Sequence, residues 1–284
     1  MKMNFKTLLL MLFTVGISSA CSENSVMNEA PIEVTNANTD INASDNTNDS
    51  TKTVSNPNLL FEDNFDTNGT PDKTKWTLCP KMAGDSWGNY FSNSYDQAYV
   101  SNGNLVLKAE KVNGVYKTGG VWSKGLFDFT YGKVEVRARL KTVQGGIPSI
   151  WLLDSSGIPS EGEIDIVEQF NNDNFVYHTV WNNYIIKYNK LDPIRSSTSK
   201  YNVGEYNTYT LNWTPEKLEY SVNGKIALTY PNLHLTNEAT LQQWPFKKSS
   251  FIILNFTLSM GTTITDADLP GYMEVDWVRV TRTR

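Results

Sequence analysis

The segment Glu161-Gly162-Glu163-Ile164-Asp165-Ile166-Val167-Glu168 places four carboxylates within eight residues. Isoleucines alternate with acids, so on a β-strand Glu163 and Asp165 project to one face and Ile164 and Ile166 to the other. Strict alternation would leave Glu168 with the isoleucines, and a one-residue bulge after Asp165 would return it to the acidic face. Close like charges raise the proton affinity of at least one member of such a row. An ionised carboxylate beside a protonated one is the equipment for glycosidic bond cleavage: the first attacks the anomeric carbon and the second protonates the leaving oxygen. A retaining reaction needs the two groups about 5 to 5.5 Å apart. At about 3.4 Å per residue, Glu163 and Asp165 stand roughly 7 Å apart at the backbone and Glu168 about twice as far along. The outer pair must therefore lean inward over Asp165. A solvated acidic strand face or a calcium site would use the same spacing, and the spacing does not decide which outer glutamate attacks.

Such a strand needs a sheet to hold it. From Leu59 onward the pattern has period two: Lys133, Glu135, Arg137 and Arg139 alternate with Val134, Val136, Ala138 and Leu140, one face for a core and one for water. Asn102-Gly103, Asn113-Gly114 and Asn223-Gly224 predict tight hairpin turns. Further strands are expected at 209–213, 251–258 and 273–280. No segment reads as an amphipathic helix, since 235–243 is long enough for only a turn or two. The fold class expected is all-β, a sandwich or jelly roll. The formal charge of −5 divides as +2 for residues 1–21, −5 for 22–57 and −2 for 58–284. A nearly neutral folded part excludes a nucleic-acid binder, which needs clustered cations. Two cysteines, Cys21 and Cys79, exclude a disulfide framework, and two histidines leave no histidine cluster for a metal.

Glu163-Ile164-Asp165-Ile166-Val167-Glu168 resembles the E-x-D-x-x-E signature of glycoside hydrolase family 16, the laminarinase, lichenase, agarase and keratan-cleaving superfamily. The resemblance covers most of residues 59–280. It includes Phe61-Glu62-Asp63-Asn64-Phe65-Asp66, Asn104-Leu105-Val106-Leu107, Phe129 to Arg137, Pro148-Ser149-Ile150-Trp151, Trp244-Pro245-Phe246, Leu254-Asn255 and Met273 to Val280. It implies a concanavalin-like β-sandwich jelly roll over 58–284 with a concave substrate groove. It also implies Glu163 as nucleophile, Glu168 as acid/base, Asp165 as their electrostatic helper, and no cofactor for catalysis. A structural calcium on the convex face is implied too, with Asp276 as its candidate ligand; Asp276 equally reads as a strand-face cap.

Sugar rings have an apolar face and a polar edge, so Trp122, Trp151, Trp181 and Trp244 are the candidate substrate platforms, although tryptophan is also a common core residue. Trp213 and Trp277, on regular alternating strands, are assigned to the core. Two positions depart from the family pattern: Trp181 stands where a histidine is usual, and Gly120 where an arginine is usual. These swap polar contacts for apolar surface and favour a β-galactosidic linkage, as in poly-N-acetyllactosamine, mucin O-glycan or keratan-type chains, over a glucan. His178 reads either as a polar subsite contact or as a satisfied strand histidine. Residues 80–96 and 185–202 are expected to be irregular and to shape the groove, with Lys187, Lys190, Arg195 and Lys200 able to meet a sulfate.

Lys2 and Lys6 precede the apolar run 8–17, too short to span a bilayer, so residues 1–20 read as an export signal. Ser18-Ser19-Ala20-Cys21 resembles a lipoprotein processing site with Cys21 acylated, the alternative being an ordinary signal with a chance cysteine. Residues 21–57 are polar, without an aromatic residue, and read as a disordered tether. The expectation is an exported monomer on a bacterial membrane, held by lipid alone at the outer membrane and facing the surface or periplasm. Its partner would be an oligosaccharide or polysaccharide, cleaved by an endo-β-glycosidase. The competing readings are a β-1,3- or mixed-linkage glucanase and, in another class, a non-catalytic glycan-binding lipoprotein. Three mutually repelling carboxylates favour the enzyme.

Overall fold

Period-two patterning becomes two antiparallel sheets in the computed structural model, which describes residues 57–84 and 86–283. Residues 1–56, with the export signal, Cys21 and all but the end of the tether, lie outside the described residues. In chain order the strands are β1 (Leu59–Asp63), β2 (Thr77–Leu78), β3 (Ala98–Ser101), β4 (Asn104–Val112), β5 (Val115–Thr118) and β6 (Gly120–Trp122). Next come β7 (Asp128–Phe129), β8 (Gly132–Lys141), β9 (Gly146–Asp154), β10 (Glu163–Glu168), β11 (Phe175–Trp181) and β12 (Ser196–Lys200). The chain closes with β13 (Tyr206–Trp213), β14 (Lys217–Val222), β15 (Lys225–Pro231), β16 (Ser250–Leu258) and β17 (Gly271–Thr281). The outer sheet runs β15-β14-β13-β8-β17-β4-β3, with β1 on β17 and β5 on β4. The groove sheet runs β12-β11-β10-β9-β16-β6-β2, with β7 on β16.

The core lies between the sheets. Val134, Val136, Ala138 and Leu140 of β8 are buried there while their charged neighbours stay in water. Ile252, Leu254 and Phe256 of β16 and Ile150 and Leu152 of β9 are buried as well. β9 and β16 are buried on both faces, since their second face floors the groove, and accordingly both read as continuous apolar runs. The three Asn-Gly pairs turn as expected, with Asn102, Asn113 and Asn223 at φ of 52°, 50° and 51° and the following glycines also positive. Among the described residues helix is confined to single turns, the α-helical α1 (Asn183–Ile186) and α2 (Glu238–Leu241) and two 3-10 turns at Pro159–Glu161 and Asp266–Asp268.

Two expectations fail for local reasons. Trp213 is a core residue, but Trp277 is only half-buried, with the Arg279 guanidinium 4.3 Å over its ring. The β8 partner register jumps between Val275 and Trp277, leaving Asp276 as an extra residue that turns Trp277 outward opposite Arg137. In the stretch 185–202, residues 196–200 are not irregular but form β12, the edge strand of the groove sheet.

Candidate active site

β10 carries the bulge that its sequence demands. On the β11 side Asp165 pairs with Thr179 and Glu168 with Tyr177, so Ile166 and Val167 stand opposite His178 alone. On the β9 side Asp165 pairs with Trp151, Val167 with Ile150 and Glu168 with Ser149, which identifies Ile166 as the extra residue. Glu163, Asp165 and Glu168 thereby share the groove face. They lie in three successive rows, Leu153-Glu163-Trp181, Trp151-Asp165-Thr179 and Ser149-Glu168-Tyr177. Glu161 is not part of this face: Lys248 holds it at 2.8 Å and reaches Asp154 at 3.3 Å, which ties down the turn into β10.

Asp165 is buried and its neighbours are half-buried. Burial, then the Glu163 and Glu168 charges, push Asp165 well above the carboxylate range; a hydrogen bond with Glu163 adds to this and one with Trp181 opposes it. Glu163 is pushed up to about 8 by burial and by Glu168, and the Asp165 hydrogen bond pulls it back down. Glu168 is pushed up to about 7 by burial. On these values Glu163 holds its proton more firmly than Glu168, and the hydrogen bond from a protonated Asp165 is the one contribution that favours an ionised Glu163. Arg195 feels the acid cluster: its guanidinium stacks on the Trp181 ring at 4.0 Å, burial lowers its pKa and the Asp165 charge restores part of it.

Carboxyls whose affinity for protons rises on folding make the folded protein bind more protons than the unfolded chain, so stability falls as pH climbs from the unfolded value near 4 through the folded ones. Asp165→Asn removes one such group. It is expected to raise Tm by about 3 °C or more at pH 8, on the scale of 2–4 °C per kcal/mol for a domain of this size, and to leave Tm unchanged at pH 4. Thermal unfolding at the two pH values checks this, and curves of parent and variant that stay parallel would remove Asp165 from the proton-holding set.

The aromatic candidates fare unequally. Trp122 is half-buried in the same row as Trp151 and Asp165, linked through Ile253 of β16, with Lys124 5.4 Å over its ring. Trp151 (7 % exposed) and Trp181 (9 %) line the acids directly but show little open ring face. The Trp151 indole N–H donates to Asn255 at 2.7 Å, which fixes its orientation. The end of β11 beyond Trp181 is pinned by buried Asn182, which donates to Tyr230 Oη at 3.0 Å and the Gln243 carbonyl at 2.9 Å. Trp244 is corrected: at 3 % exposed it packs among Tyr230 and Phe246 and offers no platform.

Two aromatic residues of the 80–96 stretch were missed. Trp87 stands edge-on to Trp151 at 4.8 Å and to Phe91 at 5.2 Å, and together they roof one side of the groove floor. The available signal was a lone Trp in a Gly- and Ser-rich loop. Tyr177, beside Glu168, was also missed, although its parity with Thr179 and Trp181 places it on the acid face. Gly120 is corrected as well: a Cβ there would meet Asn255 Cβ at 3.0 Å, Phe91 Cζ at 3.1 Å and Cys79 Sγ at 3.2 Å. The arginine's space is therefore filled by the roof and not left as an open apolar subsite.

His178 does not reach the groove. Tyr177, Thr179 and Trp181 take the acid face, so Val176, His178 and Val180 point between the sheets, and the His178 ring lies 5.8 Å from that of Tyr220 on the outer sheet. Asp276 already has a cationic side-chain partner. It is ion-paired to Arg137 on the convex face, Glu274 beside it is paired to Arg139, and no group of three acidic, His or Cys side chains converges among the described residues.

Residues 87–279 match the sequence model of glycosyl hydrolases family 16. The chain is 35% identical over 274 residues to the keratan-sulfate endo-1,4-β-galactosidase of Sphingobacterium multivorum, covering 92% of this chain and 63% of that relative. It thus spans less than two thirds of that protein's length. Among solved structures it is similar to one reported with endo-acting O-glycanases by which human gut microbiota initiate mucin breakdown. That match has a TM-score of 0.70 and 35% identity, over 80% of this chain and all of that one. It is also similar to SCLam, a non-specific endo-β-1,3(4)-glucanase, with a TM-score of 0.71 and 30% identity over 80% and 91% of the two chains.

Proposed function

This chain belongs to glycosyl hydrolases family 16, and from that premise we propose that it is a retaining endo-β-glycosidase. The observation that carries the reading is the bulge at Ile166, which sets Glu163, Asp165 and Glu168 on one groove face with a proton to share. Glu163, ionised, attacks the anomeric carbon; as its ester bond forms, the bond to the leaving sugar breaks and Glu168 protonates the departing oxygen. Glu168, now a carboxylate, takes a proton from water, which attacks the same carbon from the vacated face. The ester breaks and the configuration is retained. Asp165 keeps its proton directed at Glu163 and weakens that carboxylate's basicity in the leaving step.

For substrate the reading favours an internal β-galactosidic linkage of a poly-N-acetyllactosamine, mucin O-glycan or keratan-type chain. It is supported by Trp181 beside Glu163 and by the names of two of the similar proteins. The second reading, a β-1,3- or mixed-linkage glucanase, is favoured by the likeness to SCLam. Mass analysis of products from keratan, mucin glycans, laminarin and mixed-linkage glucan separates the two, and absence of any new reducing end returns the chain to the glycan-binding class. Trp181→His keeps a ring N–H and loses apolar surface; it is expected to shift the kcat/KM ratio towards glucans by about 10-fold or more. A parent that already prefers laminarin by more than about 200-fold overturns the galactoside reading, since that exceeds what apolar contacts discriminate. The reading extends to an exported monomer, acylated at Cys21 and held at the outer membrane. Labelled palmitate that persists in Cys21→Ala removes the anchor.

A further inference from the structure

A bulge frees backbone groups that the ladder would otherwise use, and the extra residue of β10 is Ile166. Its carbonyl oxygen lies 2.6 Å from Nδ1 of His178, the single β11 residue opposite the bulge. The other ring nitrogen, Nε2, lies 2.8 Å from Ser199 Oγ on β12. A carbonyl only accepts, so Nδ1 carries the proton; Nε2 is then the lone pair and the Ser199 hydroxyl donates to it. The ring is fully buried, and burial lowers its pKa, which keeps it neutral. We propose that His178 is a positioning residue for the reaction: its hydrogen bond to the Ile166 carbonyl, braced by Ser199, holds the bulge open and so sets Glu168 on the groove face. Without that donor the carbonyl is buried unpaired, and β10 gains by slipping back into plain register, which turns Glu168 away from Glu163.

This inference rests on the glycosidase reading only for its kinetic arm. Asn places an amide N–H where Nδ1 stood, and Leu has its shape without the donor. His178→Leu is expected to lower kcat by about 100-fold with KM within about threefold, the scale of an ångström-level displacement of a catalytic group. It should also move the Glu168 carboxyl midpoint, followed by 13C NMR in labelled protein, from about 7 back towards the ordinary carboxylate range. His178→Asn should keep the parent's midpoint and most of its rate. Should His178→Leu fail to fold, Ser199→Ala, which removes the brace, must move the midpoint in the same direction by less. A Glu168 midpoint unmoved in folded His178→Leu, or in Ser199→Ala when the Leu variant does not fold, overturns the proposal; so does an equal shift in the Asn and Leu variants. A parent that cleaves no glycan sinks the enzyme reading alone, because the titration still judges the clamp.

Discussion

Glu163→Gln is expected to lower kcat by at least about 10⁴-fold, the scale on which enzymes lose rate when a nucleophile is removed. Glycan binding should be unaffected. The amide keeps the volume between Leu153 and Trp181 and can still accept the proton offered by Asp165, so the groove retains its shape. What disappears is the electron pair that forms the ester. The same change removes a carboxyl held at about 8, so the variant should also be more stable than the parent at pH 8, a combination that disruption of the fold would not produce. Calorimetric binding of an uncleaved oligosaccharide alongside a reducing-end assay reads both effects. Activity within tenfold of the parent would overturn the assignment of Glu163.

Glu168→Ala should cost about 10²–10⁴-fold on natural linkages, the usual contribution of a positioned acid/base. It should cost far less in ester formation from a substrate with a good leaving group, which needs no proton. In the parent, rate should fall as pH rises through about 7 because Glu168 loses the proton it donates. In the variant that limb should be absent. The space vacated beside Ser149 and Tyr177 admits azide, which needs no general base, and the product should be the glycosyl azide of retained configuration. An azide of inverted configuration would exchange the roles of Glu163 and Glu168.

The acid strand was legible because its alternation breaks at one place, and a carboxylate stranded among isoleucines is too costly a burial to read literally. The hairpins were legible because Asn-Gly has few other uses. The parity of β11 was legible too: Val176, His178 and Val180 against Tyr177, Thr179 and Trp181 already turn the histidine away from sugar and favour the satisfied strand histidine over the subsite contact. The bulge at Asp276 shows in the three-residue step from Val275 to Val278, the same irregularity as at Glu168 without an acid to expose it. β12, SSTSK with its residues half or fully exposed, has no apolar period and is held as a strand by β11. The roof of Trp87 and Phe91 over β6 and β16 depends on contacts between residues far apart in the chain, such as Phe91 with Gly120, and no local pattern encodes such an approach.

The packing of Phe91 and Cys79 onto Gly120 has an evolutionary consequence. A side chain at position 120 requires its neighbours to give way, since Asn255 Cβ, the Phe91 ring and Cys79 Sγ stand 3.0, 3.1 and 3.2 Å from where its Cβ would be, and a smaller residue at 91 leaves a void against Gly120 until that position grows. Each single step is expected to cost stability, and the two exchanges together are expected to cost less than their sum, which couples the two sites. Selection for altered specificity that varies groove positions one at a time meets that crowding in any step towards an arginine at 120. A library that diversifies 91 and 120 together, with the loop between Trp87 and Phe91, opens that route.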